Sequence, residues 1–222
     1  MSNFTDFAPF ERIEDVHLYY AENPEDLENA DLVIVPGSKN SISDMLYLKK
    51  RGFDRAIRKY VKSGKGVIGI CGGFQILGRK IFDPYDVESD IKEIDGIGIF
   101  PVETTITKEK KTVQRNFKYK NYSESCIGYE IHMGETVYLE KSPLNFFADG
   151  SNEGFLLNEK CFGTYIHGIF DNSIVLKDIL KKDINIEDFA TFKDRQYDKL
   201  ADILRNSLDI NYIYDCMGRK KC

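Results

Sequence analysis

The sequence has no apolar run long enough to cross a membrane, since its longest runs, such as residues 32–35, hold only a few residues. A membrane-spanning helix needs about 20 mostly apolar residues. No signal-peptide pattern opens the chain. The formal net charge of −5 disfavours nucleic acid or anionic lipid as the main partner. We therefore predict a protein that binds neither a membrane nor nucleic acid.

The sequence also lacks the patterns of a metal site or a disulfide framework. It has no C-x-x-C pair, and its three histidines are far apart. An odd number of scattered cysteines is typical of a reducing compartment, so we predict a cytoplasmic location and no bound metal. The five cysteines are Cys71, Cys126, Cys161, Cys216 and Cys222.

Strand and helix patterns alternate in the first third of the chain. Short apolar runs predict strands, and apolar residues at helical spacing predict a helix broken at Gly52, with Ser41 or Ser43 as its N-cap. This order is typical of a right-handed βαβ unit. The predicted strands cover residues 16–20, 31–35 and 66–70, and the predicted helix covers residues 41–62.

The pattern changes after residue 78. It predicts a loop, then several short β-strands, and then helices. A loop with turns is predicted for residues 79–96, with an exposed hairpin around residues 108–125. We expect an α/β fold with an open, mainly parallel sheet flanked by helices and some antiparallel strands in the second half. No long linker interrupts the 222 residues, so one domain is predicted over residues 1–222. Further short strands are predicted at 97–102, 112–117, 126–131, 136–139 and 163–166, and helices at 173–182 and 186–207.

The motif G-I-C-G-G-F-Q at residues 69–75 follows a strand of continuous apolar residues. Glycine two residues before and two residues after Cys71 gives the G-x-nucleophile-x-G elbow, written with cysteine. A sharp strand-to-helix turn needs neighbours without Cβ atoms, and it places the sulfur at a helix N-terminus, where negative charge is stabilised. Cys71 is therefore the predicted nucleophile.

A cysteine nucleophile needs a base within hydrogen-bonding reach. His167 ends a strand pattern and precedes a glycine, so we expect it to meet Cys71 at one rim of one sheet. His132 has a similar context and competes for the role, whereas His17 lies in an early strand without a nearby glycine. Backbone N–H groups of Gly72 and of Gly37 or Ser38, each following a strand, are predicted to form an oxyanion hole.

These motifs together resemble the class I, or triad, glutamine amidotransferases. More narrowly, five segments are similar, in the same order, to the amidotransferase half of the cobyric acid synthase family, and they span nearly the whole chain. The segments are S-N-F-T-D-F at 2–7, V-P-G-S-K-N at 35–40, I-G-I-C-G-G-F-Q-I-L-G at 68–78, G-Y-E-I-H-M-G at 128–134 and G-T-Y-I-H-G-I-F-D at 163–171.

The resemblance implies that this domain hydrolyses glutamine through a thioester on Cys71, with His167 as base. The ammonia would serve ATP-dependent amidation of corrinoid carboxylates in cobalamin biosynthesis. Gln75, Tyr129 and Glu130 become candidates for holding glutamine. No cofactor is expected in this domain, because ATP and Mg²⁺ belong to the family's synthetase domain.

The chain departs from the wider family's pattern in two ways. Many class I enzymes have H-x-E, in which the glutamate orients the histidine, but here that position is Ile169. Asp171 or Glu130 could take this role. The sequence also has no G-x-x-x-x-G-K-[ST] phosphate loop. We therefore expect the synthetase domain to be absent from this chain and to act as its partner.

Other functions remain open at this point. The chain could serve a sister enzyme, namely cobyrinic acid a,c-diamide synthase or the synthetase of lipid II amidation. It could also be a related cysteine hydrolase, or a silent regulatory module that retains the fold. The S-N-F-T-D-F opening disfavours the sister enzymes, and Gln75 disfavours the hydrolase. The presence of both Cys71 and His167 disfavours a silent module.

Overall fold

The structure, a computed structural model, describes residues 3–182 and 187–218. These residues form two compact units, Met1–Asp183 and Ile184–Cys222. The prediction of one domain over residues 1–222 stays a prediction. Ser2 and the predicted start of a helix at Ile186 lie outside the described residues. No helix in the described ranges combines the length and apolar character needed to span a membrane.

The first unit carries all the strands and four of the helices that the structure describes. The strands are β1 (Leu32–Val35), β2 (Gly66–Ile70), β3 (Lys80–Phe82), β4 (Glu93–Asp95), β5 (Val102–Tyr119), β6 (Ser125–Tyr138), β7 (Asn145–Phe146), β8 (Asn152–Glu153), β9 (Phe155–Asn158), β10 (Cys161–Thr164) and β11 (Ile166–His167). The helices are α1 (Ser41–Arg51), α2 (Phe53–Lys62), α3 (Gly72–Leu77) and α4 (Ser173–Leu180), and the second unit adds α5 (Phe189–Ser207) and α6 (Ile210–Cys216).

A four-stranded sheet in the order β1-β2-β10-β9 forms the parallel part of the fold. Strand β2 lies parallel to β1 and to β10, and β9 closes the sheet antiparallel to β10. All five residues of β2 are buried, because the sheet is covered on both faces. The predicted α/β fold is confirmed.

The helical segment between β1 and β2 breaks where the sequence predicted. Gly52 has φ 82°, a left-handed conformation that suits glycine, and it ends α1 just before α2 begins. The N-cap of α1, however, is Asn40, whose side chain accepts a hydrogen bond from the Ser43 N–H. The prediction of Ser41 or Ser43 as the cap was wrong, because the asparagine that precedes them already satisfies the first turn.

The antiparallel strands form a second, larger sheet along the path β11-β6-β5-β3-β4. The short runs predicted at 112–117, 126–131 and 136–139 merge into the long β5–β6 hairpin, whose register shifts between Ile106 and Lys111. The strand predicted at 97–102 was wrong, because residues 97–101 form no strand and the N–H groups of Ile97 and Ile99 donate to carbonyls at the end of α3. The loop predicted for residues 79–96 contains β3 and β4, so that prediction was partly wrong. Strand β3 pairs in parallel with β5, a partner about 20 residues away in sequence that local composition does not reveal.

The strand predicted at residues 16–20 does not form. Residues 17–20 and β1 both line a mostly apolar cavity of about 610 Å³. A strand requires a hydrogen-bonded partner, and β1 pairs in this structure only with β2.

The chain passes from the first sheet to the second over a very short distance. Strand β10 ends at Thr164, and β11 begins at Ile166 beside Glu130 of β6. Tyr165 alone separates the two strands. Residues on either side of this junction are therefore brought close together although they belong to different sheets.

Candidate active site

Cys71 stands at the sharp turn between β2 and α3. Its backbone has φ 51° and ψ −111°, a conformation that costs a non-glycine residue free energy. The turn is held by the Cys71 N–H, which donates to the Thr164 carbonyl at 2.7 Å. Only 5% of the cysteine is exposed, and its Sγ lies 3.6 Å from the carbonyl oxygen of Ile131. The structure thus has the elbow geometry that the motif predicted.

The two glycines after Cys71 allow the preceding loop to approach the elbow. A Cβ atom on Gly72 would lie 2.6 Å from the Ser38 Cβ and 2.7 Å from the Ser38 nitrogen. A Cβ on Gly73 would overlap the Val35 carbonyl oxygen. Side chains at either position would push apart the ends of the two neighbouring strands, so the close packing requires glycine.

The loop after β1 is fixed by hydrogen bonds of Ser38. Its Oγ donates to Asp44 at 2.6 Å and accepts from the Asn40 N–H at 3.0 Å. Ser38 and Gly72 are therefore neighbours, as the predicted oxyanion hole requires. Gly37 is buried in the same loop.

His167 reaches the elbow from β11, in the second sheet. Its ring is 3% exposed, its Nδ1 lies 2.7 Å from Asp6 Oδ2, and it interacts electrostatically with Cys71. Burial lowers the pKa of His167, but the bonds to Asp6 and Cys71 outweigh it and raise the pKa to about 9. The ring is consequently an imidazolium at neutral pH. The expectation that both residues share one rim of one sheet was wrong, because the short junction at Tyr165 joins two sheets here.

Asp6 is the acid beside His167. It lies in a 3-10 turn at Phe4–Phe7, and its Oδ2 is 2.7 Å from His167 Nδ1, while its Oδ1 accepts from the Gly168 N–H at 2.9 Å. The sequence analysis did not predict that Asp6 contacts His167, although Asp6 belongs to the S-N-F-T-D-F segment on which the family resemblance partly rests. Asp171, the orienter predicted from sequence, lies in the 3-10 turn after Gly168, with its carboxylate close to that glycine.

His132, the competing base, is directed elsewhere. Its Nδ1 is 3.0 Å from the Gly134 carbonyl oxygen, its Nε2 is 3.1 Å from Glu130, and its ring stacks on Tyr165 at 4.0 Å. Both ring nitrogens of His132 are thus engaged in contacts other than with Cys71. His17 is exposed and stacks on Tyr19.

Glu130, the second predicted orienter, is buried among cations rather than beside His167. Its oxygens are 2.5 Å from Lys111 Nζ and 2.5 Å from Arg115 Nε, and it also contacts His132. Burial raises the pKa of Glu130, but the bonds with His132, Lys111 and Arg115 lower it to about 2. The carboxylate is therefore ionised throughout the physiological range.

The other two residues predicted to hold glutamine both lie beside the Cys71–His167 pair. Gln75 is buried in α3, where its Oε1 accepts from Ser41 at 2.5 Å and its Nε2 donates to the Tyr165 hydroxyl at 3.2 Å. The Tyr129 ring stacks on His167, with 5.3 Å between ring centroids. Gln75 thus lies next to the nucleophile, since its backbone N–H donates to the Cys71 carbonyl, and Tyr129 lies next to the histidine.

A cavity of about 600 Å³ adjoins this region and carries charges of both signs. Its wall includes Lys111, Arg115, Glu130, His132, Glu153 and Tyr165. Tyr165 links the cavity to the nucleophile's surroundings through its bond to Gln75. No group of three or more His, Cys, Asp or Glu residues among residues 3–182 and 187–218 is arranged to hold a metal ion.

Comparison with known proteins agrees with this geometry. A family model described as a CobB/CobQ-like glutamine amidotransferase domain matches residues 1–175. The chain is 43% identical to cobyric acid synthase of Phocaeicola vulgatus, over 98% of this chain and 46% of that protein. It is 45% identical to cobyric acid synthase of Clostridium perfringens, over 96% of this chain and 46% of that protein. The chain thus spans slightly less than half the length of these relatives.

A solved structure described as a glutamine amidotransferase has a similar fold, with a TM-score of 0.57. The two sequences are 16% identical, and the match covers 75% of this chain and 85% of the other. At this identity the likeness supports the fold alone.

Proposed function

The chain belongs to the CobB/CobQ-like glutamine amidotransferase family, and we propose that it releases ammonia from glutamine for an ATP-dependent synthetase that amidates corrinoid carboxylates. Cys71 is the nucleophile and His167 the proton carrier in this proposal. The observation that carries it is the strained turn at Cys71, whose side chain interacts with the buried His167 ring.

The first step is attack of the Cys71 sulfur on the side-chain amide carbon of glutamine. An imidazolium beside a thiol favours the thiolate, which is the form that attacks. The tetrahedral oxyanion would be stabilised by the N–H groups of Gly72 and of Gly37 or Ser38. The imidazolium then gives its proton to the leaving nitrogen, the carbon–nitrogen bond breaks, and ammonia departs from a γ-glutamyl thioester.

The second step is hydrolysis of this thioester. The imidazole of His167, now neutral, takes a proton from water as the water attacks the thioester carbon. The carbon–sulfur bond breaks, glutamate leaves, and Cys71 and the protonated His167 are restored. One glutamine and one water thus give one glutamate and one ammonia.

The head group of glutamine would be held near Gln75, Tyr129 and Glu130. The adjoining cavity supports this placement, because it carries both cations and carboxylates and so suits a zwitterionic amino acid. Glu130 would act there through the two cations it fixes, Lys111 and Arg115.

The partner in this proposal is a synthetase domain or subunit that binds ATP, Mg²⁺ and the corrinoid. The names of the relatives support it, since this chain matches only part of proteins called cobyric acid synthase. We place the reaction in the cytoplasm. No disulfide joins the cysteines that the structure describes, which fits a reducing compartment.

The proposal is tested by measuring glutamate and ammonia formed from glutamine by the purified chain. We expect slow hydrolysis that falls at least about 10³-fold in Cys71→Ser and in His167→Ala. With ATP and a corrinoid acid added, the chain alone should form no amide. Hydrolysis that persists in Cys71→Ser, or amide formation without a partner, would show that the proposal is wrong.

A further inference from the structure

Both carboxylate oxygens of Asp6 form hydrogen bonds with the segment that contains His167. Its Oδ2 lies 2.7 Å from His167 Nδ1, and its Oδ1 accepts from the Gly168 N–H at 2.9 Å. Asp6 and His167 are each 3% exposed. A carboxylate at this depth is retained only if it is hydrogen-bonded and charge-compensated, and the imidazolium provides both.

Two further side chains fix the plane of the histidine ring. The Asn3 amide nitrogen donates to the Tyr129 hydroxyl at 2.8 Å and to Asp6 Oδ2 at 3.2 Å, and it lies 2.8 Å from His167 Nδ1. Tyr129 in turn stacks on the His167 ring, with an angle of 23° between the planes. The Nδ1 edge of the ring is thus enclosed by Asn3 and Asp6, and the opposite edge is left to Cys71.

The turn that carries Asp6 is itself packed against the segment after His167. Phe7 and Phe10 are buried, and the Phe10 ring lies 4.9 Å from that of Phe170. Phe170 belongs to the 3-10 turn directly after Gly168. Phe10 begins the next 3-10 turn, at Phe10–Arg12, so the segment that follows Asp6 and the turn that follows His167 share an apolar contact.

We propose that Asp6 is the positioning residue of the His167 base, and that the turn at Phe4–Phe7 is therefore a part of the active site. The inference rests on the proposed function of Cys71 and His167. It adds the acid that orients His167, which the proposed function leaves unnamed. In many class I enzymes the glutamate two residues after the histidine orients its ring. That position is Ile169 in this chain, so Asp6 takes this role.

The proposed role follows from the chemistry of imidazole. When Nδ1–H donates to the Asp6 carboxylate, the ring is held in the orientation that turns Nε2 toward the sulfur. The carboxylate also stabilises the positive charge of the ring while Nε2 carries the proton between sulfur, leaving nitrogen and water.

The test compares Asp6→Asn with Asp171→Asn, the acid that the sequence favoured. Modification of Cys71 by a diazoketone analogue of glutamine is followed by mass spectrometry from pH 6 to pH 10. Titration of the His167 ring is followed by NMR. We expect Asp6→Asn to slow modification about 10²–10⁴-fold and to lower the pH at which His167 titrates. Asp6→Glu, which keeps the charge, should retain the raised titration and restore part of the rate.

The outcomes separate this inference from the function on which it rests. The inference is wrong if Cys71 of the Asp6→Asn variant is modified at the wild-type rate and His167 titrates at an unchanged pH. It is also wrong if Asp171→Asn, instead of Asp6→Asn, slows the modification and shifts the titration. Failure of the wild-type chain to be modified at Cys71 would contradict the proposed function itself. Should Asp6→Asn not fold, Asp6→Ser replaces it, because its hydroxyl can still accept the Gly168 N–H, and the same loss is expected.

Discussion

The backbone N–H of Cys71 donates to the carbonyl oxygen of Thr164 at 2.7 Å, and this bond fixes the nucleophile relative to its base. Thr164 ends β10, and His167 follows three residues later in β11. A single main-chain bond therefore joins the elbow of the first sheet to the segment that enters the second. The alignment of sulfur and imidazole depends on the fold at this junction more than on either side chain.

Replacing Gly73 with alanine should disrupt the elbow. The new Cβ would overlap the Val35 carbonyl oxygen, so β1 and α3 must move apart. We expect a loss of about 2–4 kcal/mol in the free energy of unfolding, measured by urea titration, together with loss of glutaminase activity. Gly64→Ala is the matched control. Gly64 has φ 84° and no atom within 4 Å of the new Cβ, so only the backbone cost of about 1–2 kcal/mol is expected, with activity retained. Equal losses in the two variants would contradict the account.

Ser38→Ala should impair catalysis while leaving the fold largely intact. The Ser38 hydroxyl bonds with Asp44 and Asn40 and so fixes the loop beside Gly72. If loss of these hydrogen bonds raises the activation free energy by about 1–1.5 kcal/mol, kcat falls about 10-fold. Steady-state kinetics should show a decrease in kcat with a smaller change in KM. An increase in KM alone would indicate that the loop binds glutamine and does not stabilise the oxyanion.

The pKa of His167 predicts how stability varies at alkaline pH. Because the pKa is raised from 6.5 to about 9 in the folded protein, the ring's contribution is fully present below pH 6.5 and is lost as pH rises through 9. The groups that face this ring are Asp6, Cys71 and Tyr129. Urea titrations between pH 6 and pH 9.5 should show a fall in the free energy of unfolding that is absent in His167→Ala. An identical pH dependence in the two proteins would show that the ring is not charged in the native state.

Asp178 should stabilise the fold at neutral pH and lose this contribution in acid, whereas His167 loses its contribution at alkaline pH. It is buried under the β5–β6 hairpin, 2.6 Å from Lys120 Nζ and 2.8 Å from Lys181 Nζ. Burial raises its pKa, but the bonds with these lysines and with Tyr119 lower it to about 2. The folded-state value lies below the ordinary one, so this stability is present above about pH 4 and is lost as pH falls through 2.

Asp178→Asn is therefore expected to cost about 3–5 kcal/mol at pH 7, because it leaves the buried Lys120 with only the exposed Glu159, 3.3 Å away, as a counter-charge. Glu28→Gln is the control, since the Glu28–Lys59 pair is exposed at 70% and 83% and should contribute less than about 1 kcal/mol. Urea titration measures both changes. A small effect at Asp178 would mean that the hairpin is held by its apolar contacts instead.

The elbow could be predicted from sequence because it is local. The pattern around Cys71 fixes a strand, a tight turn and a helix within a dozen residues, and each of these has a steric reason for its glycines. The break at Gly52 was predictable for the same reason. These features need no knowledge of which distant segment packs against them.

The acid beside the base could not be predicted in this way. Asp6 and His167 are 161 residues apart in sequence, and the contact exists only because two short turns pack together. Asp171 was the natural choice from spacing alone, since it lies only four residues after the histidine. The strand expected at residues 16–20 failed for a related reason. Its apolar pattern is correct for an extended segment, but a strand also needs a partner, and pairing is a long-range property.

The central claim is that Cys71 is a nucleophile specific for glutamine, and selective modification tests it most directly. The purified chain is incubated with a diazoketone analogue of glutamine, with and without excess glutamine, and the adduct is located by peptide mass spectrometry. Cys216 is exposed and serves as the internal control for indiscriminate thiol modification. The account predicts one adduct per chain, on Cys71, suppressed by glutamine and by His167→Ala. An unmodified Cys71, or modification of Cys216 in its place, would contradict the account.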